Sequence, residues 1–171
     1  IMFGKNTETM INWGIIGVGD VTELKSGPAF NKVENSHLEA VMRRNAEKAK
    51  DYAQRHKVDK WYANADELIN DPDVNAVYVA TPPNAHAEYA IKAMRAGKPV
   101  YIEKPMSVSY QECERILEVS KETGVKCFVA YYRRYMPYFQ KVKELVQIGA
   151  IGEVRLVNVR YVCPPQKSDY S

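Results

Sequence analysis

The stretch Asn12-Trp13-Gly14-Ile15-Ile16-Gly17-Val18-Gly19-Asp20-Val21-Thr22 decides how the chain is read. Its apolar first half has the continuous character of a strand buried on both faces, as a parallel sheet covered by helices requires. That strand runs directly into Gly17-x-Gly19. One glycine permits a tight strand-to-helix turn, and the second lets the backbone approach a pyrophosphate. The helix start beyond, at Asp20 and Val21, supplies N–H groups and partial positive charge. Thr22 stands where such a turn usually has Gly or Ala, and Asp20 brings a carboxylate near the pyrophosphate, where it is able to cap the helix. Alone, a G-x-G is also an ordinary tight turn. Its weight comes from its place in the chain.

Outward from this turn the pattern repeats. Ala76–Ala80 and Pro99–Ile102 are again near-continuous apolar strands, whereas Leu38–Met42, with Glu39 inside it, is expected to be more exposed. Further strands are expected at about 126–130 and 153–162. Between them lie helices with readable ends. Asn45 and Asn64 open two of them, Asn84 caps one that Gly97 closes, and Ser109-x-x-Glu112 opens one that Gly124 ends. Another is expected at about 137–148, and Ser26-Gly27-Pro28 is expected to interrupt the first. Alternation of this kind predicts an α/β fold with a doubly wound parallel sheet, a Rossmann domain over residues 11–149. Residues 1–10 read as a tail, and 150–171 as the start of a truncated second domain.

Composition narrows the partners. The chain has 171 residues, 46% hydrophobic and 26% charged, with a net charge of +3. That balance points to a globular domain rather than a nucleic-acid or polybasic membrane binder. Tyr131-Tyr132-Arg133-Arg134-Tyr135 interleaves aromatic and basic groups, but no other basic stripe accompanies it. Cys113, Cys127 and Cys163 form neither a disulfide framework nor a metal cluster, so no metal and a cytoplasmic setting are expected. No apolar run approaches the length of a membrane span.

In open α/β sheets the ligand sits beyond the carboxyl ends of the strands. At the end of the second strand a carboxylate would serve the ribose hydroxyls of NAD. Here Arg43 and Arg44 stand instead, with Lys48 one turn on, and paired guanidiniums suit the 2′-phosphate of NADP. NADP is therefore the preferred cofactor, with NAD the alternative. Two further strand ends are unusual. Ala80-Thr81-Pro82-Pro83-Asn84-Ala85-His86 offers small and proline residues able to lie under a flat dinucleotide, and Glu103-Lys104-Pro105 puts a charged pair after a buried strand.

With the glycine turn, Thr81-Pro82, Glu103-Lys104-Pro105 and Tyr132-Arg133-Arg134-Tyr135-Met136-Pro137 in this order, the sequence resembles the Gfo/Idh/MocA family of NAD(P)-dependent oxidoreductases over about residues 11–162. The resemblance implies hydride transfer between NAD(P) and a CH–OH group of a sugar, polyol or related compound. It implies that Lys104 is catalytic, hydrogen-bonding the substrate hydroxyl and helping its proton leave. A lysine desolvated in a cleft and facing a developing alkoxide suits that task. The Lys104-Pro105 bond is expected to be cis. Glu103 either contacts the cofactor or anchors its loop. His86, counted with the cofactor-side residues, reads as structural rather than as a general base. Arg133 and Arg134 are expected at the cofactor cleft, reaching the nicotinamide end or the substrate; the alternative is that this segment serves interdomain packing. The resemblance also places an Asp and a His beyond residue 171, and oligomer contacts on the C-terminal sheet. The rival reading is a dinucleotide-binding or sensing module without catalysis, and a third, an interaction scaffold, rests on strand 153–162 alone.

Overall fold

A computed structural model describes residues 10–162, which fall into two units, 10–131 and 132–162. The first unit is built on six parallel strands: β1 (Ile11–Ile16), β2 (Ser36–Met42), β3 (Lys60–Tyr62), β4 (Ala76–Val79), β5 (Val100–Ile102) and β6 (Cys127–Val129). Their spatial order is β3-β2-β1-β4-β5-β6. The sequence therefore winds outward from β1 in one direction and from β4 in the other. Between β1 and β4 the strand order reverses, and a crevice opens there at the carboxyl ends.

Strand alternation sends successive side chains to opposite faces. Ile16, Met42, Val77, Val79, Val100 and Ile102 meet the apolar sides of α3 (Ala65–Asn70), α4 (His86–Arg95) and α5 (Tyr110–Thr123). Ile15, Leu38, Val41 and Tyr78 face the other way, onto Tyr52 and Ala53 of α2 (Ala46–His56). The expectation that β2 is the more exposed strand is corrected. Leu38, Ala40, Val41 and Met42 are all buried, because β3 covers the flank that sequence left open. Between Leu38 and Met42 only Glu39 stays partly exposed, 3.2 Å from the Lys60 ammonium.

The caps form largely as the residue types dictate. Asn45 Oδ1 accepts the Lys48 N–H, Asn64 Oδ1 the Asp66 N–H, and Ser109 Oγ the Glu112 N–H. Gly124 closes α5 in the left-handed conformation. Asn84 is a correction. It lies inside a 3-10 turn, Pro83–Ala85, α4 starts only at His86, and no side chain caps it.

The glycine turn leads into a short helix, α1 (Asp20–Leu24), followed after Ser26 by a 3-10 turn over Gly27–Lys32. Asp20 is not the cap; Gly19 holds that position. Thr22 is fully buried, donating its hydroxyl to Gly19 O at 2.8 Å and accepting the Gly19 N–H at 2.9 Å. A β-branched residue thus fits where Gly or Ala was expected, because its hydroxyl closes the turn. Tyr52 of α2 donates to Thr22 O at 2.8 Å, and Arg55 clasps the Glu23 carboxylate through two nitrogens at 2.9 and 2.5 Å.

That clasp carries a pH dependence. The Arg55 guanidinium, helped by His56, lowers the Glu23 carboxyl to about 2, against the opposing effect of burial. A folded pKa below the unfolded value stabilises above about pH 4.5, and the contribution fades as pH falls toward 2. Arg55 is about half exposed, so solvent screening keeps the effect small. Glu23→Gln is expected to lower the melting temperature by a few degrees at pH 7, with the gap closing by about pH 2. Thermal melts across that range check it.

The second unit contains a 3-10 turn over Tyr132–Tyr135 and α6 (Pro137–Gln147), begun by proline at its first position. The strand expected at 153–162 is not formed. Its residues are exposed and carry no ladder bonds among the described residues. The expected tail and Cys163 fall outside the described residues, apart from Met10.

Candidate functional site

A groove of about 950 Å³ lies at the carboxyl ends of β1, β2 and β4. The first wall is the glycine turn, Gly17 to Val21. Gly17 has φ +99°, and a Cβ there would sit 2.8 Å from the Thr81 nitrogen and 2.9 Å from the Ala80 carbonyl carbon. Only glycine allows the turn to lie this close to the end of β4. Gly19 differs. Its φ is −142°, ordinary for any residue, and a Cβ there would meet nothing within 4 Å. The protein itself does not demand glycine at 19; a side chain would only fill the groove.

The second wall comes from the end of β2. Arg43 donates through Nη1 to Val18 O at 3.1 Å, tying this strand end to the glycine turn. Arg44 is exposed and makes no ion pair among the described residues. Both line the groove, as does Asn45, while Lys48 does not. The side of α2 that bears Lys48 faces solvent, whereas Asn45 is held at the mouth by its capping role.

The third wall is Ala80, Thr81, Pro82 and Asn84, continued by Ala85 and by Glu88 and Tyr89 of α4. Among the described residues, Thr81 Oγ1 is the buried side-chain polar atom with no hydrogen-bond partner. Leaving such an atom unmet costs about 1–3 kcal/mol, which residues of binding sites recover with a ligand. Val18, Met42, Asn45, Glu88 and Tyr89 were not foreseen from sequence. The last two carry no signal of their own, being a carboxylate and a ring on one turn of an amphipathic helix.

Glu103, Lys104 and His86 do not line this groove. His86 is buried, with Nε2 2.8 Å from Thr81 O and Nδ1 2.9 Å from Pro105 O, so it works inside the protein. Glu103 is an anchor. Oε1 accepts the Tyr78 hydroxyl at 2.5 Å and Oε2 accepts the Lys104 N–H at 3.1 Å. Lys104 is exposed, and its bond to Pro105 is cis, as expected. Arg133 and Arg134 belong to the second unit and are exposed there, the Arg133 guanidinium 6.0 Å from the Tyr132 ring centre. No group of three His, Cys, Asp or Glu side chains among the described residues could hold a metal ion, and no described helix is long and apolar enough to cross a membrane.

Residues 11–131 match an oxidoreductase family with an NAD-binding Rossmann fold. The chain belongs to the Gfo/Idh/MocA family. It is 52% identical over 147 residues to an oxidoreductase from Formosa agariphila, covering 86% of this chain and 46% of that protein. A myo-inositol 2-dehydrogenase from Thermotoga maritima is 30% identical over 158 residues, covering 92% of this chain and 47% of that enzyme. Among solved structures, a 3-ketoreductase from Actinomadura kijaniata in complex with TDP-benzene and NADP superposes with a TM-score of 0.76 at 30% identity. The match covers 85% of this chain and 46% of that one. The chain spans about half the length of the curated relatives it matches.

Proposed function

We propose that this chain is the nucleotide-binding half of an NAD(P)-dependent dehydrogenase or reductase acting on a CH–OH group of a sugar, polyol or related small molecule. The observation that carries this reading is the groove at the β1/β4 reversal, with an open backbone at Gly19 and an unmet hydroxyl at Thr81. The residues fit a dinucleotide. Gly17, Gly19, Asp20 and Val21 would hold the pyrophosphate, and Ala80, Thr81, Pro82 and Asn84 would floor the remainder. NAD(P), when bound, accepts or supplies the hydride. The chain's own contribution is to orient it and to present Lys104, whose ammonium favours the oxyanion of the substrate and eases removal of its proton.

Within this reading NADP is the preferred nucleotide. Arg43 and Arg44 line the groove at the end of β2, and no carboxylate stands at that strand end. Arg43 is already engaged by Val18 O, so Arg44 carries most of the contact with a 2′-phosphate. Similarity to the NADP-bound 3-ketoreductase supports this choice, and the myo-inositol dehydrogenase supports the substrate class. A homo-oligomer and a cytoplasmic setting go with the proposal. Titration with NADPH and NADH, followed by nicotinamide fluorescence, tests it. Arg44→Ala is expected to weaken NADPH by about tenfold or more while leaving NADH within about threefold. Tighter binding of NADH than of NADPH by the unaltered chain would overturn the preference.

A further inference from the structure

Outside the groove, the first unit holds three polar clusters at least partly withdrawn from solvent. Two of them, around Glu23–Arg55–His56 and around Lys60–Asp71–Tyr62, tie elements together with their charges paired. The third surrounds the Glu103-Lys104-Pro105 turn, and nucleotide binding does not account for it.

Tyr78 sits in the middle of the sheet with 0% exposure, its ring stacked on Tyr101 at 5.5 Å and tilted against Phe30 at 5.2 Å. Phenylalanine would satisfy that packing equally. The hydroxyl instead reaches Glu103 Oε1 at 2.5 Å, and the other oxygen of the same carboxylate takes the Lys104 N–H. Burial and the hydrogen bond to Glu103 push the Tyr78 phenol well above its ordinary range, against an opposing hydrogen bond with Ser26, so it remains a donor. At the start of α4, His86 spans from Thr81 O, on the groove side, to Pro105 O, directly after the lysine. Lys104 itself makes no ion pair among the described residues. A long side chain without a partner is aimed only by the backbone that carries it.

We propose that Tyr78 and His86 are positioning residues for Lys104. Tyr78 acts through Glu103 and His86 through Pro105, and together they fix the lysine's turn against the Thr81 end of the nucleotide groove. This rests on the dehydrogenase reading above for its catalytic consequence, but not for its geometry. Tyr78→Phe deletes one hydroxyl and keeps the ring. In the nucleotide-free chain, hydrogen exchange of the Lys104 amide is expected to accelerate about tenfold, the loss of roughly one charge-assisted hydrogen bond's hold. In the whole protein carrying this chain, kcat is expected to fall about tenfold while the KM for NADPH stays within about threefold. The same substitution added to Lys104→Ala is expected to cost nothing further in kcat. His86→Gln, which keeps a donor toward one carbonyl, is expected to lose less activity than His86→Leu. An unchanged Lys104 amide in Tyr78→Phe would overturn the proposal, as would an equal loss of kcat in the Lys104→Ala background. If the unaltered protein binds no nicotinamide nucleotide, the dehydrogenase reading fails instead, and the amide measurement still decides the geometry.

Discussion

Lys104→Ala is expected to reduce kcat of the whole protein by about 10²–10⁴-fold, the usual range for loss of a positioned acid–base group. NADPH affinity of the chain is expected to stay within about threefold. Lys104 does not line the groove, and it is exposed at the end of the strand next to the groove's third wall. Steady-state kinetics in parallel with a fluorescence titration separate the two quantities. A variant that keeps normal turnover would remove Lys104 from the chemistry, and one that loses nucleotide binding would make it a binding residue instead.

The second large effect is expected at Gly17. Alanine there combines a positive φ with a Cβ about 2.8 Å from the main chain at Thr81, and neither backbone can move without opening the sheet. Backbone strain and overpacking cost about 1–3 kcal/mol each. Gly17→Ala is thus expected to lower the melting temperature by on the order of 10 °C and to abolish nucleotide binding. Gly19→Ala makes the contrast, because its Cβ enters open space and its φ is ordinary. Its melting temperature is expected to be unchanged, with NADPH affinity reduced by about tenfold or more. Equal stability losses at both positions would mean that the turn is held by packing alone.

What could be read from sequence was whatever local chemistry announces. Near-continuous apolar runs marked β1, β4 and β5, and short polar side chains ahead of apolar periods marked the starts of α2, α3 and α5. The groove residues of the glycine turn and of Ala80-Thr81-Pro82 were legible for the same reason, since both follow buried strands directly. The strand β3 was not. Three residues, Lys60-Trp61-Tyr62, show no alternation to read, and they form a strand because β2 offers an edge. Without β3, β2 looked more exposed than it is. The failure at 153–162 is the reverse: the residues suit a strand, but they make no ladder bonds among the described residues.

The site shows the same division. Arg43 and Arg44 look alike in sequence, and only the fold turns one guanidinium back to Val18 while leaving the other at the surface. Glu103 had two readings, and the Tyr78 hydroxyl favours the anchor. Tyr78 itself gave no warning, because a tyrosine inside Val77-Tyr78-Val79 reads as core. Its polar partner lies 25 positions away, beyond the reach of any periodicity.

The central claim is that a nicotinamide dinucleotide occupies the groove at the carboxyl ends of β1, β2 and β4. Hydrogen exchange of this chain, read by peptide mass with and without saturating NADPH, tests it most directly. The account predicts slowed exchange in three segments, 17–22, 42–48 and 80–89, with α5 and α6 unchanged. Protection elsewhere with none at the glycine turn, or no protection at any NADPH concentration reached, would contradict it.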